Sequence, residues 1–586
     1  MDNREIAGLL EEVADLLEIL GEDTFKVRSY RRAAESVRGL AEELDAIRHS
    51  DGLQSIPHIG KSIAGKLEEL LGTGQMEYHE KLRAQVPEGL LEMLQVPGMG
   101  PKKVSLVWKE RGISSVDELG VAAKAGQLRD LGGMGVKSEE KVLQGIAVYR
   151  QGSERALLGN LLPVAERIVA ALQEVPAAIA VAYAGSARRM RETVGDLDIL
   201  ATSTEPQTVM DAFKGLPDLG EIIASGETKT SAMLQSGRQV DLRVVPPESY
   251  GAALMYFTGS KDHNITIRER ARRIGLTVNE YAVSELLADG QEGKRVAGAT
   301  EEEVYGALGL PWIPPELRED RGEVDAAAAG KLPVLVQLSD IRCDLQMHSE
   351  WSDGTHPIEK MADAARALGY EYIAISDHSV SLMVAHGLSP EKLAAQRQEI
   401  DELNATLEGS GEGFRVLAAS EVDIKPDGNL DYGPEVLASL DLVLASLHQG
   451  FTDDRARMTG RIVKTICSGR ADILCHPTGR VLASREGYPL DIEAVMEAAV
   501  EYDVALEVNA YPDRLDLRDT HVRLAMERGA KIAINTDAHG PAHLPFMRYG
   551  VATARRGWAT KEAVINTWPR EELVAWTKER RKRFGG

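Results

Sequence analysis

The sequence predicts a multidomain protein of mixed α+β and α/β class, helical at its start and ending in a seven-stranded βα barrel. Three observations predict this. Residues 1 to about 150 read as helices broken by three related glycine turns. From about residue 155 to 250 strands and helices mix, and between 341 and 540 seven short apolar runs alternate with amphipathic helical stretches. At 586 residues with 43% hydrophobic content, the length suits about four domains with several buried cores.

Composition narrows the setting. The longest apolar stretch, residues 175–185, is short and broken by Pro176, and Met1-Asp2-Asn3-Arg4-Glu5 lacks the apolar run of a signal peptide. A protein without membrane spans, in the cytoplasm, is expected. Three cysteines, Cys343, Cys467 and Cys475, offer neither a disulfide framework nor a Cys-x-x-Cys zinc site. Cys475, although beside His476, reads as a small apolar strand residue facing away from any metal. The net charge of -23 excludes a surface coated in basic groups, but local clusters can still meet a phosphate backbone. Lys26-Val27-Arg28-Ser29-Tyr30-Arg31-Arg32 is one such cluster, with an aromatic interleaved.

The three turns are Ile56-Pro57-His58-Ile59-Gly60-Lys61-Ser62, Val96-Pro97-Gly98-Met99-Gly100-Pro101-Lys102 and Leu131-Gly132-Gly133-Met134-Gly135-Val136-Lys137. Each is a short hairpin feeding a helix. Glycines at Gly60, Gly98, Gly100, Gly133 and Gly135 let the backbone approach a phosphate, and each helix start presents free N–H groups to it. The pattern resembles the helix-hairpin-helix motif, which binds DNA backbone. His58 departs from it, standing where the first glycine belongs.

Further on, Ile179-Ala180-Val181-Ala182-Tyr183 leads into Ala184-Gly185-Ser186, while Leu197-Asp198-Ile199-Leu200 and residues 239–245 read as strands. Asp196 and Asp198, two apart on a strand, project from one face, and Asp241 completes a trio. Three carboxylates in a small space repel one another unless cations neutralise them, which suits two magnesium ions. Upstream, Gly185-Ser186-Ala187-Arg188-Arg189 can bind a triphosphate through backbone N–H groups and an arginine clamp.

Gly-Ser-x-Arg-Arg followed by Gly-Asp-Leu-Asp, with Tyr256-Phe257-Thr258-Gly259-Ser260 downstream, resembles family X of the DNA polymerases, the polymerase beta-like enzymes, over residues 1 to about 317. The resemblance implies a lyase-like helical DNA-binding domain (1–85), a helix-hairpin-helix fingers domain (86–152), a nucleotidyltransferase palm (153–250) and a nucleotide-selecting thumb-like subdomain (251–317); after them Pro311, Pro314 and Pro315, a run of charges and Ala326 to Ala329 read as a linker (318–334). The resemblance also implies that Ser186 and Arg189, on the Gly185 turn, hold nucleotide phosphates, that Asp196, Asp198 and Asp241 are catalytic and hold Mg2+ or Mn2+, that Tyr256 and Phe257 line the sugar pocket and disfavour a 2′-hydroxyl, and that Gly259 also binds the nucleotide. Asn264 would touch the incoming base and Arg268 the template. Lys261, where relatives carry an acidic residue, would bind nucleotide phosphate or base. Lys66 falls at the Schiff-base position of the family's lyase domain; Lys61 and Lys26 would favour its neutral form, and Glu68 and Glu69 would raise its pKa. Lys26 and Tyr30 belong to the DNA-binding surface.

The apolar runs of the last third are residues 341–345, 372–376, 416–420, 442–446, 472–475, 504–508 and 531–535. Nearly every run is followed at once by a metal-capable residue: His348, His378, Glu421, His448, His476, then Asp537 with His539. Barrel sites lie at the C-terminal strand ends, so this placement predicts a metal centre. With Asp353 added, the signature resembles the polymerase and histidinol phosphatase (PHP) domain over residues 335–586. That likeness implies one metal on His348, Glu421 and Asp537, a second on Glu421, His448 and His476, and a third on Asp353, His378 and His539. Imidazole with carboxylate suits Zn2+ or Mn2+, up to three ions. Gln346 replaces a histidine of many relatives and weakens the first position. Arg480, just past Pro477, is a candidate to hold the substrate phosphate.

The expected function is gap-filling DNA polymerisation in base excision repair, with 3′→5′ exonuclease and further apurinic endonuclease or 3′-phosphatase activity. Gapped or nicked DNA and deoxynucleoside triphosphates are the expected partners, with the protein a monomer. Two alternatives stand beside it: a DNA-end phosphoesterase whose polymerase half positions DNA, and a non-catalytic DNA-end scaffold.

Overall fold

The computed structural model describes all residues except 1–2, 39–43, 51, 88, 97, 410–412, 452 and 586. Met1, Asp2 and the Pro97 of the second hairpin therefore lie outside the described residues. The chain divides into two compact units, Met1–Glu154 with Ala483–Arg485, and Arg155–Leu482 with Glu486–Gly586.

The first unit is helical around Asn3–Leu20, whose Ile6, Leu10, Val13, Leu16, Leu17 and Ile19 are all buried. These residues form one broad apolar face, which the neighbouring helices cover. The three hairpins share one geometry. Ile59 donates its N–H to the Ile56 carbonyl, Met99 to Val96 and Met134 to Leu131, at 3.2, 2.9 and 2.9 Å. His58, Gly98 and Gly133 all take left-handed backbone, with φ of 64°, 88° and 82°. So His58 accepts a conformation that costs a non-glycine residue about 1 kcal/mol or more, and the first hairpin keeps the shape of the other two.

The second unit opens with a five-stranded sheet: β1 (Ala180–Tyr183), β2 (Leu197–Thr202), β3 (Leu219–Ser225), β4 (Lys229–Leu234) and β5 (Gln239–Val245), in the order β1-β2-β5-β4-β3. Only β2 and β5 run parallel. Leu197, Ile199, Ala201, Val240, Leu242 and Val244 pack on helices Leu158–Gln173 and Pro206–Lys214. Strand alternation sends Asp198 and Asp241 to the other face, where helix Tyr250–Thr258 covers Leu200 and Val245. The sequence did not reveal β3 and β4 as strands, because β3 is a mostly exposed edge without an alternating apolar face.

Beyond it, helix Lys261–Arg273 and the antiparallel strands β6 (Leu276–Val278), β7 (Val283–Leu286) and β8 (Glu292–Ala297) surround Ile267, Val283, Val304 and Tyr305. Within residues 318–334, expected as a linker, Arg318, Glu323, Val324 and Ala327 are buried, while residues 328–331 and Val334 are exposed. Arg318 is fully buried, donating to Glu301 at 2.6 Å and to the Ile313 carbonyl, and Glu323, in helix Glu323–Ala328, meets buried His263 at 2.6 Å. Charges that read as solvated in sequence are here sequestered in pairs, the form in which buried charge is tolerated.

The barrel follows, with parallel strands β9 (Cys343–Asp344), β10 (Tyr372–Ile375), β11 (Arg415–Asp423), β12 (Leu442–Ser446), β13 (Ile473–Leu474), β14 (Ala505–Asn509) and β15 (Ile532–Asn535) neighbouring in chain order. Met347 bridges Ala538 across the seam, so the barrel is nearly closed. Both faces of its strands are covered, which is why they read as continuous apolar runs. Cys343, Cys475 and Leu444 are packed together in one apolar core of the barrel.

Candidate functional site

The palm strands bring the first centre together. Asp198 on β2 lies directly opposite Asp241 on β5 in register. Asp196 stands one residue before β2 and is exposed, so the expected strand placement holds for Asp198 and Asp241 but not for Asp196. Burial, then the charges of Asp196 and Asp241, push the Asp198 carboxyl up to about 7. Asp241 differs: burial opposes its charge, but hydrogen bonds from Lys229, Ser231 and Gln239 outweigh it and hold the carboxyl below the usual range. Lys229 Nζ is 2.6 Å from Asp241.

Above the aspartates lies a cleft of about 670 Å3. It is lined by Gly185, Ser186, Arg189, Asp196, Asp198, Tyr256, Phe257, Gly259, Lys261, Asn264 and Arg268, and also by Arg155 and Arg191, which sequence reasoning missed. Tyr256 and Phe257 meet edge to face, ring centres 5.2 Å apart. Asn264 donates to the Tyr256 carbonyl at 2.7 Å, and its Oδ1 is buried without a partner. Arg189 is already held, by Glu319 at 3.0 Å and the Thr258 carbonyl at 2.5 Å.

In the helical unit Lys66 Nζ lies 4.6 Å from the ring centre of Tyr78 and 5.9 Å from that of Tyr30, and donates to Ser62 Oγ at 3.0 Å. Burial, then the charge of Lys26, lower its pKa and outweigh Glu69, so the net shift runs against the rise expected from the nearby acids. Of the basic cluster, Arg31 is committed to Asp15 and Glu18. At Gly60, Gly98, Gly100, Gly133 and Gly135 an added β-carbon would meet nothing within 4 Å.

The barrel centre brings the expected metal-capable residues together, four of the histidines directly around Glu421. The Nε2 atoms of His348, His448 and His476 lie 3.3, 3.3 and 3.0 Å from its oxygens, and His378 Nδ1 lies at 3.5 Å. His348 Nε2 is 3.2 Å from Asp537, and Asp353 lies 3.5 Å from His378 and 3.4 Å from His539. Burial opposes the Glu421 charge, but His378 and His448 outweigh it and hold its carboxyl well below the ordinary value. Burial likewise opposes protonation of His448, yet Glu421 and Asp423 push it up to about 10. Gln346 donates Nε2 to Glu421 at 3.0 Å and to Asp537 at 3.4 Å, leaving its own oxygen buried without a partner.

These residues fit metal ions. Among the described residues, three groups hold all their donor atoms within 4.8 Å of one another: His348, Asp353, His378 and His539; His378, Glu421 and His448; His348, Glu421 and Asp537. The buried Nδ1 atoms of His348, His378 and His476 have no hydrogen-bond partner. Asp423 on His448 (2.9 Å) and Asn509 on Asp537 (3.0 Å) orient two of the set, as outer carboxylates and amides do around metal ligands. Neither was foreseen, although Asn509 directly follows the sixth apolar run. Arg480 does not serve the cluster. It is 4% exposed and bonds Glu192 of the palm at 2.8 Å, whereas Arg514 Nε reaches to 3.9 Å from Asp537.

A carboxylate-bearing palm beneath a glycine-serine turn and a histidine-lined barrel together define a protein with two centres for phosphoryl chemistry. Comparison makes the assignment particular. The DNA polymerase/3′-5′ exonuclease PolX of Bacillus subtilis (strain 168) is 39% identical over 580 residues, covering 99% of this chain and 100% of that one. Rat DNA polymerase lambda is 25% identical over 342 residues, 54% of this chain and 56% of its own. A probable phosphatase of Thermoanaerobacter sp. (strain X514) is 31% identical over 185 residues, 30% of this chain and 73% of its own. Family models match for the helix-hairpin-helix domain (1–76), the SAM-like helix-hairpin-helix tandem (90–147), the DNA polymerase beta thumb (253–319) and the PHP domain (344–510). The chain belongs to the family X DNA polymerases that carry a C-terminal PHP domain.

Proposed function

We propose that this protein fills short gaps in DNA with deoxynucleoside triphosphates and trims 3′ ends with its barrel, as a 3′→5′ exonuclease, in base excision repair in the cytoplasm. The observation that carries the polymerase reading is one cleft holding Asp196 and Asp198, with Asp241 opposed to Asp198, the Gly185-Ser186 turn, and the Tyr256–Phe257 pair. Mg2+ or Mn2+ at the three aspartates, and up to three Zn2+ or Mn2+ at the barrel, would supply charge that activates an attacking oxygen and offsets the leaving one. The Gly185 turn and Ser186 bind the triphosphate, while Arg155, Arg189 and Arg191 provide a positive field. Tyr256 and Phe257 fill the space a 2′-hydroxyl would need. Lys261, exposed at the cleft, meets phosphate or base; Asn264 meets the base and Arg268 the template strand.

In the barrel, His348, Asp353, His378, Glu421, His448, His476, Asp537 and His539 hold the ions, and Arg514 orients the phosphate. The same centre acts on apurinic sites and 3′-phosphates. The open hairpins bind DNA backbone, since no neighbouring atom occupies the space in front of their glycines. Lys66, its ammonium form disfavoured by burial and Lys26, is the nucleophile of a deoxyribose-phosphate lyase activity, which borohydride trapping on an incised abasic duplex would detect and Lys66→Ala would abolish.

The test is extension and degradation of a one-nucleotide gap by wild type, Asp196→Ala and His378→Ala. Asp196→Ala is expected to lose extension and keep the exonuclease, and His378→Ala the reverse. A wild type that extends no primer with either metal would refute the polymerase reading.

A further inference from the structure

The barrel reaches residues that support the lining of the polymerase cleft. Its helix Met547–Arg556 is rooted in the barrel core by Met547, Val551 and Ala554 and ends on Arg556, which is 5% exposed. Arg556 donates to the main-chain carbonyl of Arg189 at 2.6 Å and to Glu319 Oε1 at 3.0 Å, and its other amino group donates to Asp519 at 2.7 Å. Glu319 in turn accepts from Arg189 at 3.0 Å and from Arg191 at 3.2 Å, and Asp519 accepts from Arg321 at 3.0 Å. Four guanidinium groups thus share two carboxylates. The surplus positive charge lies where Arg189 and Arg191 line the cleft.

A free arginine side chain samples many rotamers, and fixing it costs conformational entropy. Here the cost is met before any ligand arrives. Glu319 fixes Arg189, and Arg556 fixes both Glu319 and the backbone that carries Arg189. Arg556 is too buried to touch a nucleotide itself. We infer that Arg556, supplied by the PHP domain, is a positioning residue of the polymerase nucleotide site, so that the hydrolytic domain completes the synthetic one. This rests on the reading of the cleft as the triphosphate site.

The test uses the full chain filling a one-nucleotide gap with dTTP opposite adenine. Arg556→Lys keeps the charge but cannot span three acceptors, and Arg556→Met removes both. Each is expected to raise the KM for dTTP about tenfold, the size of one or two lost charge-assisted hydrogen bonds, with kcat changed far less. Exonuclease rate on single-stranded DNA should stay at the wild-type value while the thermal melt falls by only a few degrees, a split that a globally loosened fold would not give. Should neither variant fold, Asp519→Asn slackens Arg556 from the barrel side, and a two- to threefold rise in KM is expected. An unchanged KM in every folded variant overturns the inference. Direct titration of wild type with dTTP separates the two claims: no binding there overturns the cleft assignment itself, whereas normal binding with unmoved variants overturns only the role of Arg556.

Discussion

Gly185 and Asp198 leave no room between them. A β-carbon on Gly185 would stand 2.5 Å from Oδ2 of Asp198, and Gly185 has a φ of +61°. The turn proposed to meet the phosphates and the carboxylate proposed to meet the metal are therefore fitted to each other. Gly185→Ala must push Asp198 aside and strain its own backbone. Displacing a reacting group by about 1 Å costs on the order of 100-fold, so gap-filling kcat should fall by about that factor while exonuclease activity is unaffected. Near-wild-type kinetics in the alanine variant would show that the contact does not matter.

Asp198 should exchange its proton for a cation. With its carboxyl at about 7, roughly half is protonated at pH 7. Binding Mg2+ there should release about half a proton at pH 7 and almost none at pH 8.5. Calorimetric titration of Mg2+ in buffers of different ionisation enthalpy measures this, and Asp198→Asn should abolish it.

Gln346 is predicted to weaken one metal position. Its amide N–H groups bridge Glu421 and Asp537, so an ion between those carboxylates must displace a donor. Gln346→His replaces that donor by an imidazole lone pair and should tighten binding by about tenfold or more. Elemental analysis after dialysis against graded chelator is the measurement; identical stoichiometry and affinity in both proteins would count against it.

Asp519 links stability to acid. Burial opposes its charge, but Arg556 and Arg321 outweigh it and lower its pKa from 3.8 to about 2. A carboxyl depressed on folding stabilises fully above its unfolded pKa, and that stability is lost as pH falls through the folded value. The contribution, about 2 kcal/mol, should be present at pH 7 and gone near pH 2. Asp519→Asn should lower the melting temperature by a few degrees at pH 7, and the difference from wild type should vanish in acid.

The metal-capable residues of the barrel were legible one by one, because each follows an apolar run that barrel geometry carries to the same rim. The Asp198 and Asp241 pairing was legible for a similar reason, since strand alternation fixes the face. Arg480 was misread. Nothing near it in sequence announces Glu192, 288 residues earlier, as its partner. The burial of Arg318 and Glu323 within the expected linker was not legible, because exposed and paired charges look alike when the partners, Glu301 and His263, are distant. Arg155 and Arg191 carry no motif and reach the cleft only through folding.

By itself the sequence determined which chemistry this protein carries: three aspartates, a glycine-serine turn and a histidine series whose spacing follows strand and helix periods. Local periodicity and short-range sterics suffice for that. Only the tertiary structure decided that the two centres share supports, with Arg556 of the barrel beneath Arg189 of the palm and Arg480 against Glu192. Such contacts join residues hundreds of positions apart, and their energy arises from desolvating and pairing charges, which no local pattern encodes.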